Sequence, residues 1–282
     1  MSKGDDPPEP PPIFAPLVSH RYSHHVVTRS HHVASYVAGI PAATATDHRQ
    51  EVDMIITPTT LFKAAGVAAV AAGLIFIGVQ INHPHADVAN VTTTEWAVRN
   101  SLKIVMAALV LAGITGMYLR QVRQIGVLGL IGYVVFSVGY LTILSSTFVS
   151  AYVLPSLAAT NPGYVNDVLA AATNGTAQGD IGLLGTVLKV QGIAYLAGGL
   201  IFGIALFRAR VLARWAAVLL AVSGLASAAL AVLPDAFYRL LAFPNAIAMI
   251  ALGYSLWHTA RTDTTTSAAV VVSPRVTSAG VK

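Results

Sequence analysis

Four side chains capable of chemistry stand together at the head of an apolar stretch: Glu95, Arg99, Asn100 and Lys103, in TTTEWAVRNSLKIVMAALVLAGITGMYL, residues 92–119. Trp96, Arg99, Asn100 and Lys103 fall at i, i+3, i+4 and i+7, so on a helix they share one face. An arginine and a lysine on one face suit an anion, because a guanidinium holds a phosphate or carboxylate through two parallel N–H donors. Lys189, Gln191 and Asn245 are further polar groups inside otherwise apolar stretches. Joined with the first four, they would line a cavity open at one end of a helical bundle and fit a small anion or a lipid headgroup. The plainer alternative is interfacial: Lys103 and Lys189 reach up to headgroups, and Glu95 pairs with Arg99 at i+4.

Other chemistries find less support. His83 and His85, around Pro84, are the candidate metal ligands, but two ligands with no third are too few, and no metal is expected. The chain has no cysteine, which excludes thiolate metal sites, iron–sulfur clusters and disulfides. No haem is expected, since the remaining membrane-associated histidine, His258, falls at the opposite end. Lys103 and Lys189 are too shallow for a retinal Schiff base. No G-x-S-x-G, H-E-x-x-H or P-loop is present. No cofactor is expected, and the reading leans away from an enzyme.

Composition says what must position these groups. Hydrophobic residues make up 55% and charged residues 10% of the 282, and mean hydropathy is +0.67. Soluble domains carry about 25% charged residues. The net charge of +5 does not call for nucleic acid, because the basic residues sit at the ends of apolar stretches. The expectation is an all-α, multi-pass bundle of about six transmembrane helices in the cell membrane.

The spans read as about Leu61–Ile81, the stretch ending at Arg120, Ile125–Leu154, Leu183–Phe207, Trp215–Leu233 and Leu240–Trp257. Small residues Ala65, Ala69 and Gly73 in the first, glycines 126, 129, 132 and 139 in the third, and Gly199-x3-Gly203 in the fourth favour close helix contacts. Thr92 and Glu95 have capping-box spacing at the start of the second span. Tyr164–Thr173 reads as a short interfacial helix. Pro244 is expected to free a backbone carbonyl in the sixth span, beside Asn245. Residues 1–53, with a proline run and six of the nine histidines, are expected to be a disordered segment, and 262–282 a disordered tail. Translation starting at Met54 is a second reading of the N-terminal region.

Lys63, Arg120, Arg123, Arg208, Arg210, Arg214 and Arg261 fall on one side of a six-span arrangement, and the loop 155–182 on the other has no lysine or arginine. The positive-inside rule then puts both termini in the cytoplasm. At a rise of about 1.5 Å per residue, Lys103, Lys189, Gln80 and Asn245 come out roughly 24–28 Å above the inner arginines, near the outer edge of the hydrocarbon. Gly66–Phe76, GVAAVAAGLIF, echoes Gly192–Phe202, GIAYLAGGLIF, as in transporters built from inverted three-helix repeats.

The stretch Thr93–Arg120, the Arg120-x-x-Arg123 connector and LIFGIALFRARVLARWA resemble six-helix integral membrane proteins common in high-GC Gram-positive bacteria. The likeness covers about Met54–Arg261. It implies the six-helix fold and carries no activity or functional residue with it. The leading expectation is a membrane protein that binds a small anion or anionic lipid headgroup at its outer end. A small-solute transporter is the alternative, and a membrane enzyme acting on lipid headgroups the third. The lipid bilayer is the expected partner; oligomeric state has no signal in the sequence.

Overall fold

A computed structural model of the chain describes residues 57–173, 175–229 and 242–272. The N-terminal segment 1–53 and the end of the C-terminal tail lie outside the described residues.

Helix α1, Pro58–Gln80, starts where Thr57 Oγ1 accepts from Thr60 N at 3.2 Å, with proline at a first-turn position that needs no N–H. A single turn, α2 (Val88–Val91), is capped by Asp87, and α3 runs Thr94–Arg120. The cap of α3 corrects the sequence reading by one residue. Thr93 Oγ1, not Thr92, accepts from Trp96 N at 3.2 Å, while Thr92 Oγ1 turns back to Ala89 O. Glu95 is therefore left for Arg99.

Helix α4, Val122–Phe148, passes through a π turn at Val149–Val153 into α5, Leu154–Leu157, as one span of 36 residues. Gly126, at φ +62° and ψ −166°, breaks α4 after its first turn in a conformation only glycine holds without strain. Helix α6, Pro162–Ala172, begins at an Asn161 cap and occupies the place of the expected interfacial helix. Helix α7, Leu183–Ala209, ends at Arg210 in the left-handed region. Helices α8, Arg214–Ala229, and α9, Ala242–Val272, follow. The last continues past the expected boundary at Arg261.

The described residues contain no strand. Among the described residues, four helical spans are long and apolar enough to cross a membrane: Pro58–Gln80, Thr94–Arg120, Val122–Leu157 and Leu183–Ala209. The protein is all-α, with the build of a multi-pass membrane protein. The other two expected spans correspond to α8, whose described apolar part Arg214–Leu225 is shorter, and α9.

The long helices pack in chain order around a ring, α1–α3–α4–α7–α8–α9, and α9 closes it against α1. Small residues set the spacing. A Cβ at Gly116 would overlap Ala65 Cβ, and one at Gly113 would lie 2.7 Å from Ala69 Cβ, so Ala65 and Ala69 of the predicted stripe on α1 seat α3. Gly73 faces Ala246, and Gly66 meets Gly253 where the ring closes. On α4, Gly132 and Gly139 admit the backbone of α7 at Phe202 and Tyr195. Gly126 has nothing within 4 Å of its Cβ position, so it does not serve the contact expected of it, while the atoms nearest a Cβ on buried Gly129 belong to Ile125 of its own helix. Inside, Tyr118 stacks on Tyr133 (4.8 Å, 11°), and Phe136 packs edge-on to Tyr140 (5.0 Å, 79°). Outside, Leu61, Val67, Leu74, Val127, Ile193 and Leu225 are all more than half exposed, forming an apolar belt. At one end, α2, α5 and α6 pack over Trp96 and Leu154 in a smaller cluster.

The ring closure is the most sensitive joint. A Cβ at Gly253 would sit 2.6 Å from Gly66 O and 2.8 Å from Ala69 Cβ, whereas one at Gly192 meets nothing within 4 Å. Gly253→Ala should lower stability by about 1–3 kcal/mol. Gly192→Ala should leave it unchanged or slightly raised. Thermal unfolding midpoints in one detergent check both.

Candidate functional site

The carbonyl end of α1 and the amide end of α3 lie side by side, and this places Arg99. Asn82, in the left-handed region at φ +51°, turns the chain after α1 and returns His83 alongside α3. Arg99 Nε donates to Glu95 Oε1 at 2.8 Å, and Nη2 lies 2.8 Å from the same oxygen. Its Nη1 donates to Val79 O at 3.3 Å and Ile81 O at 2.8 Å. The guanidinium thus satisfies carbonyls left over at the α1 terminus and meets the negative end of that helix dipole.

One turn deeper, Lys103 Nζ lies 2.6 Å from His83 Nε2. His83 Nδ1 lies 2.8 Å from Pro84 O. A carbonyl only accepts, so Nδ1 carries the proton and Nε2 receives the lysine's N–H. The His83 ring stands edge-on to Trp96 (5.9 Å, 81°), and Trp96 Nε1 donates to Ser150 O at 2.9 Å in the π turn. Asn100 is buried and donates to Trp96 O at 2.9 Å. Arg99 thus pairs with Glu95 and the end of α1, Lys103 meets the His83 loop, and Asn100 bonds back to its own helix.

The other sequence-derived candidates lie elsewhere. Gln191 Oε1 accepts from Ser146 Oγ at 2.6 Å, tying α7 to α4. Lys189 is exposed on α7. Asn245, 1% exposed, donates through Nδ2 to Tyr140 OH at 2.9 Å and Tyr195 OH at 2.5 Å, joining α9 to α4 and α7. Its Oδ1 is buried with no hydrogen-bond partner among the described residues. A half-turn of the amide would let that oxygen accept both tyrosine O–H groups and leave the NH2 unmatched instead. Asn245 falls in the first described turn of α9, and the Leu240 carbonyl that Pro244 was expected to free lies outside the described residues. His85 is exposed, and among the described residues no three His, Asp or Glu side chains converge.

Sequence reasoning did not identify His83 as the partner of Lys103, nor Tyr140 and Tyr195 as partners of Asn245. The usable signal was the pair of tyrosines inside apolar helices, since a buried phenol needs a partner.

Beside the Arg99 assembly, α1 and α3 leave an open groove of about 330 Å³. Gly78, Val79, Val98 and Leu102 line it, and Thr94, Glu95 and Arg99 stand at its polar end. Val98 and Leu102 are 53% and 41% exposed, so the groove belongs to the apolar belt.

Comparison with protein-family models, with curated proteins and with solved structures gives no match to this chain.

The buried amide yields a stability prediction. Asn245→Ala removes both tyrosine contacts and leaves two phenols inside the ring without the group that held them, costing about 2 kcal/mol. Tyr195→Phe removes one contact and should cost under about 1 kcal/mol. Reversible denaturation in mixed micelles measures both.

Proposed function

We propose that the chain is a six-span protein of the cell membrane, with both termini in the cytoplasm, that binds a phospholipid at the outer end of α3. The observation that carries this is the α1/α3 groove with Arg99 at its polar end. A groove in the apolar belt of a membrane helix pair is filled from the bilayer, so its apolar floor favours a lipid over a free anion. Three of the five Arg99 N–H donors serve Glu95 Oε1 and two carbonyls of α1, and Nη2 also lies against that carboxylate. This leaves the outer edge of the guanidinium for one phosphate oxygen. Glu95, 56% exposed, sets the limit on anion affinity because its charge opposes the phosphate. The reading is of binding and not turnover: the ionisable groups here engage one another and the backbone.

The orientation rests on the seven basic residues at one end of the long helices and their absence from 155–182.

Two measurements test this. The chain lacks cysteine, so single cysteines report topology directly. In spheroplasts, Gly163→Cys should react with an impermeant maleimide and Arg123→Cys only after permeabilisation; the reverse pattern overturns the orientation. Arg99→Gln should lower the phospholipid retained through purification, and Glu95→Gln should raise it by removing the competing carboxylate. Lipid mass spectrometry showing both variants equal to the parent rejects the site.

A further inference from the structure

We propose that a second groove, between α7 and α8 at the arginine-bearing end of the bundle, holds an acyl chain of an anionic phospholipid whose phosphate is bound by Arg208 and Arg214. The groove measures about 200 Å³. Leu200, Ile204 and Phe207 of α7 wall one side, and Val218, Val222 and Leu225 of α8 the other. Gly203 and Ala221 form its floor, where the helices approach so closely that a Cβ on Gly203 would lie 2.6 Å from Ala221 N. Ile204, Val218 and Val222 are each at least 40% exposed, so this groove too opens to the apolar belt.

Charge decides which lipid. Arg208 follows Ile204 by four residues and Arg214 precedes Val218 by four, so each arginine shares the helix face of its own wall. Arg210, at φ +59° and ψ +22°, ends α7 in the left-handed region. The turn it starts is fixed by buried Leu212 and by Ala213 N donating to Ser255 Oγ at 3.0 Å. Three exposed arginines are thereby gathered in seven residues at the mouth of the groove. Arg214 lies over the Phe207 ring, 4.1 Å from its centroid, so a groove wall holds the guanidinium by its face and not through its N–H edge. The ion pair among the described residues, Arg99 with Glu95, is at the other end of the bundle, and α8 has no acidic residue in its first turn. An apolar trough ending in arginines that have no carboxylate partner among the described residues matches an anionic phospholipid. That the occupant is a lipid rests on the chain crossing the membrane as proposed above, and its leaflet on the proposed orientation.

The test uses the full chain in a neutral detergent, titrated with phosphatidylglycerol or phosphatidylcholine of identical acyl chains and read by native mass spectrometry. Phosphatidylglycerol should bind more tightly. Arg208→Gln with Arg214→Gln should weaken it about tenfold. Lys63→Gln with Arg123→Gln, the same loss of charge at the same end, should stay within about twofold. Val218→Trp, which fills the groove with both arginines intact, should also weaken binding. Circular dichroism and elution volume check folding; should the glutamine pair not fold, Arg208→Lys with Arg214→Lys gives the comparison, since lysine keeps charge but loses the two-pronged donor. Equal binding of the two lipids overturns the proposal. So does an equal loss in both charge pairs, which would mean a diffuse cationic rim, or a Val218→Trp variant that binds as the parent does. Arg99→Gln is run alongside: its loss or retention of lipid reports on the α3 site alone, so either site can fail while the other stands.

Discussion

Once two apolar helices are both surrounded by acyl chains, no hydrophobic force draws them together, and association depends on how closely their backbones approach. The ring is built on that constraint. Gly66 against Gly253, Gly113 and Gly116 against Ala69 and Ala65, Gly198 against Phe136 and Gly203 against Ala221 each place a side-chain-free surface where the neighbouring helix must fit. The large residues then have two places left. Tyr140, Phe136, Phe202 and Ile114 fill the interior, while Leu61, Val67, Leu74 and Leu225 go to the outer belt. Close contact at the small residues also leaves the two grooves, because helices that touch at Gly203 and Ala221 cannot close the space between their flanking side chains.

The same surroundings govern the polar groups. An unmatched charge at the bilayer centre costs about 2.5–3.5 kcal/mol on insertion scales, far more than the ~0.6 kcal/mol average of an interhelical hydrogen bond. The polar residues are therefore arranged to avoid the first cost more than to collect the second. Arg99 and Lys103 lie near the carbonyl end of α1, where two carbonyls and the His83 imidazole take their N–H groups. Asn100 and Gln121 each donate to the carbonyl four residues back on their own helix. At the opposite end the pattern changes: Arg120, Arg214 and Arg261 lie over Phe62, Phe207 and Trp257. Ring faces orient those cations, so basic side chains are held by aromatic rings at this end and by carbonyls, a carboxylate and an imidazole at the other.

What was legible in the sequence follows from range. Span positions come from composition and length, and α1, α3 and α7 begin or end within a few residues of the expected bounds. The Ala65/Ala69/Gly73 stripe was legible because a single helix displays it whole. The cap of α3 was misplaced by one residue because Thr92, Thr93 and Thr94 are chemically alike, and only the preceding turn, which takes up the Thr92 hydroxyl, decides among them. The polar cluster was legible as a helix face but not as contacts. Arg99 reaches carbonyls 18 and 20 residues away, and Asn245 meets a phenol 105 residues away. Helical spacing places residues on a face; it does not rotate one helix against another.

That distinction also weighs the echo between GVAAVAAGLIF and GIAYLAGGLIF. Related halves would give matched positions the same work. Gly66 lies against Gly253 and Trp257, but its counterpart Gly192 meets nothing within 4 Å. Ala69 is packed under Gly113, whereas Tyr195 in the matching place bonds to Asn245. The ring adds a geometric objection. A two-fold axis in the membrane plane, seen along the membrane normal, acts as a reflection and reverses the order in which helices follow one another. Matching α1, α3 and α4 to α7, α8 and α9 around a ring in chain order preserves that direction. The two requirements conflict, so the echo is better explained by what both segments need: small residues at helical spacing, so that a neighbouring helix can come close.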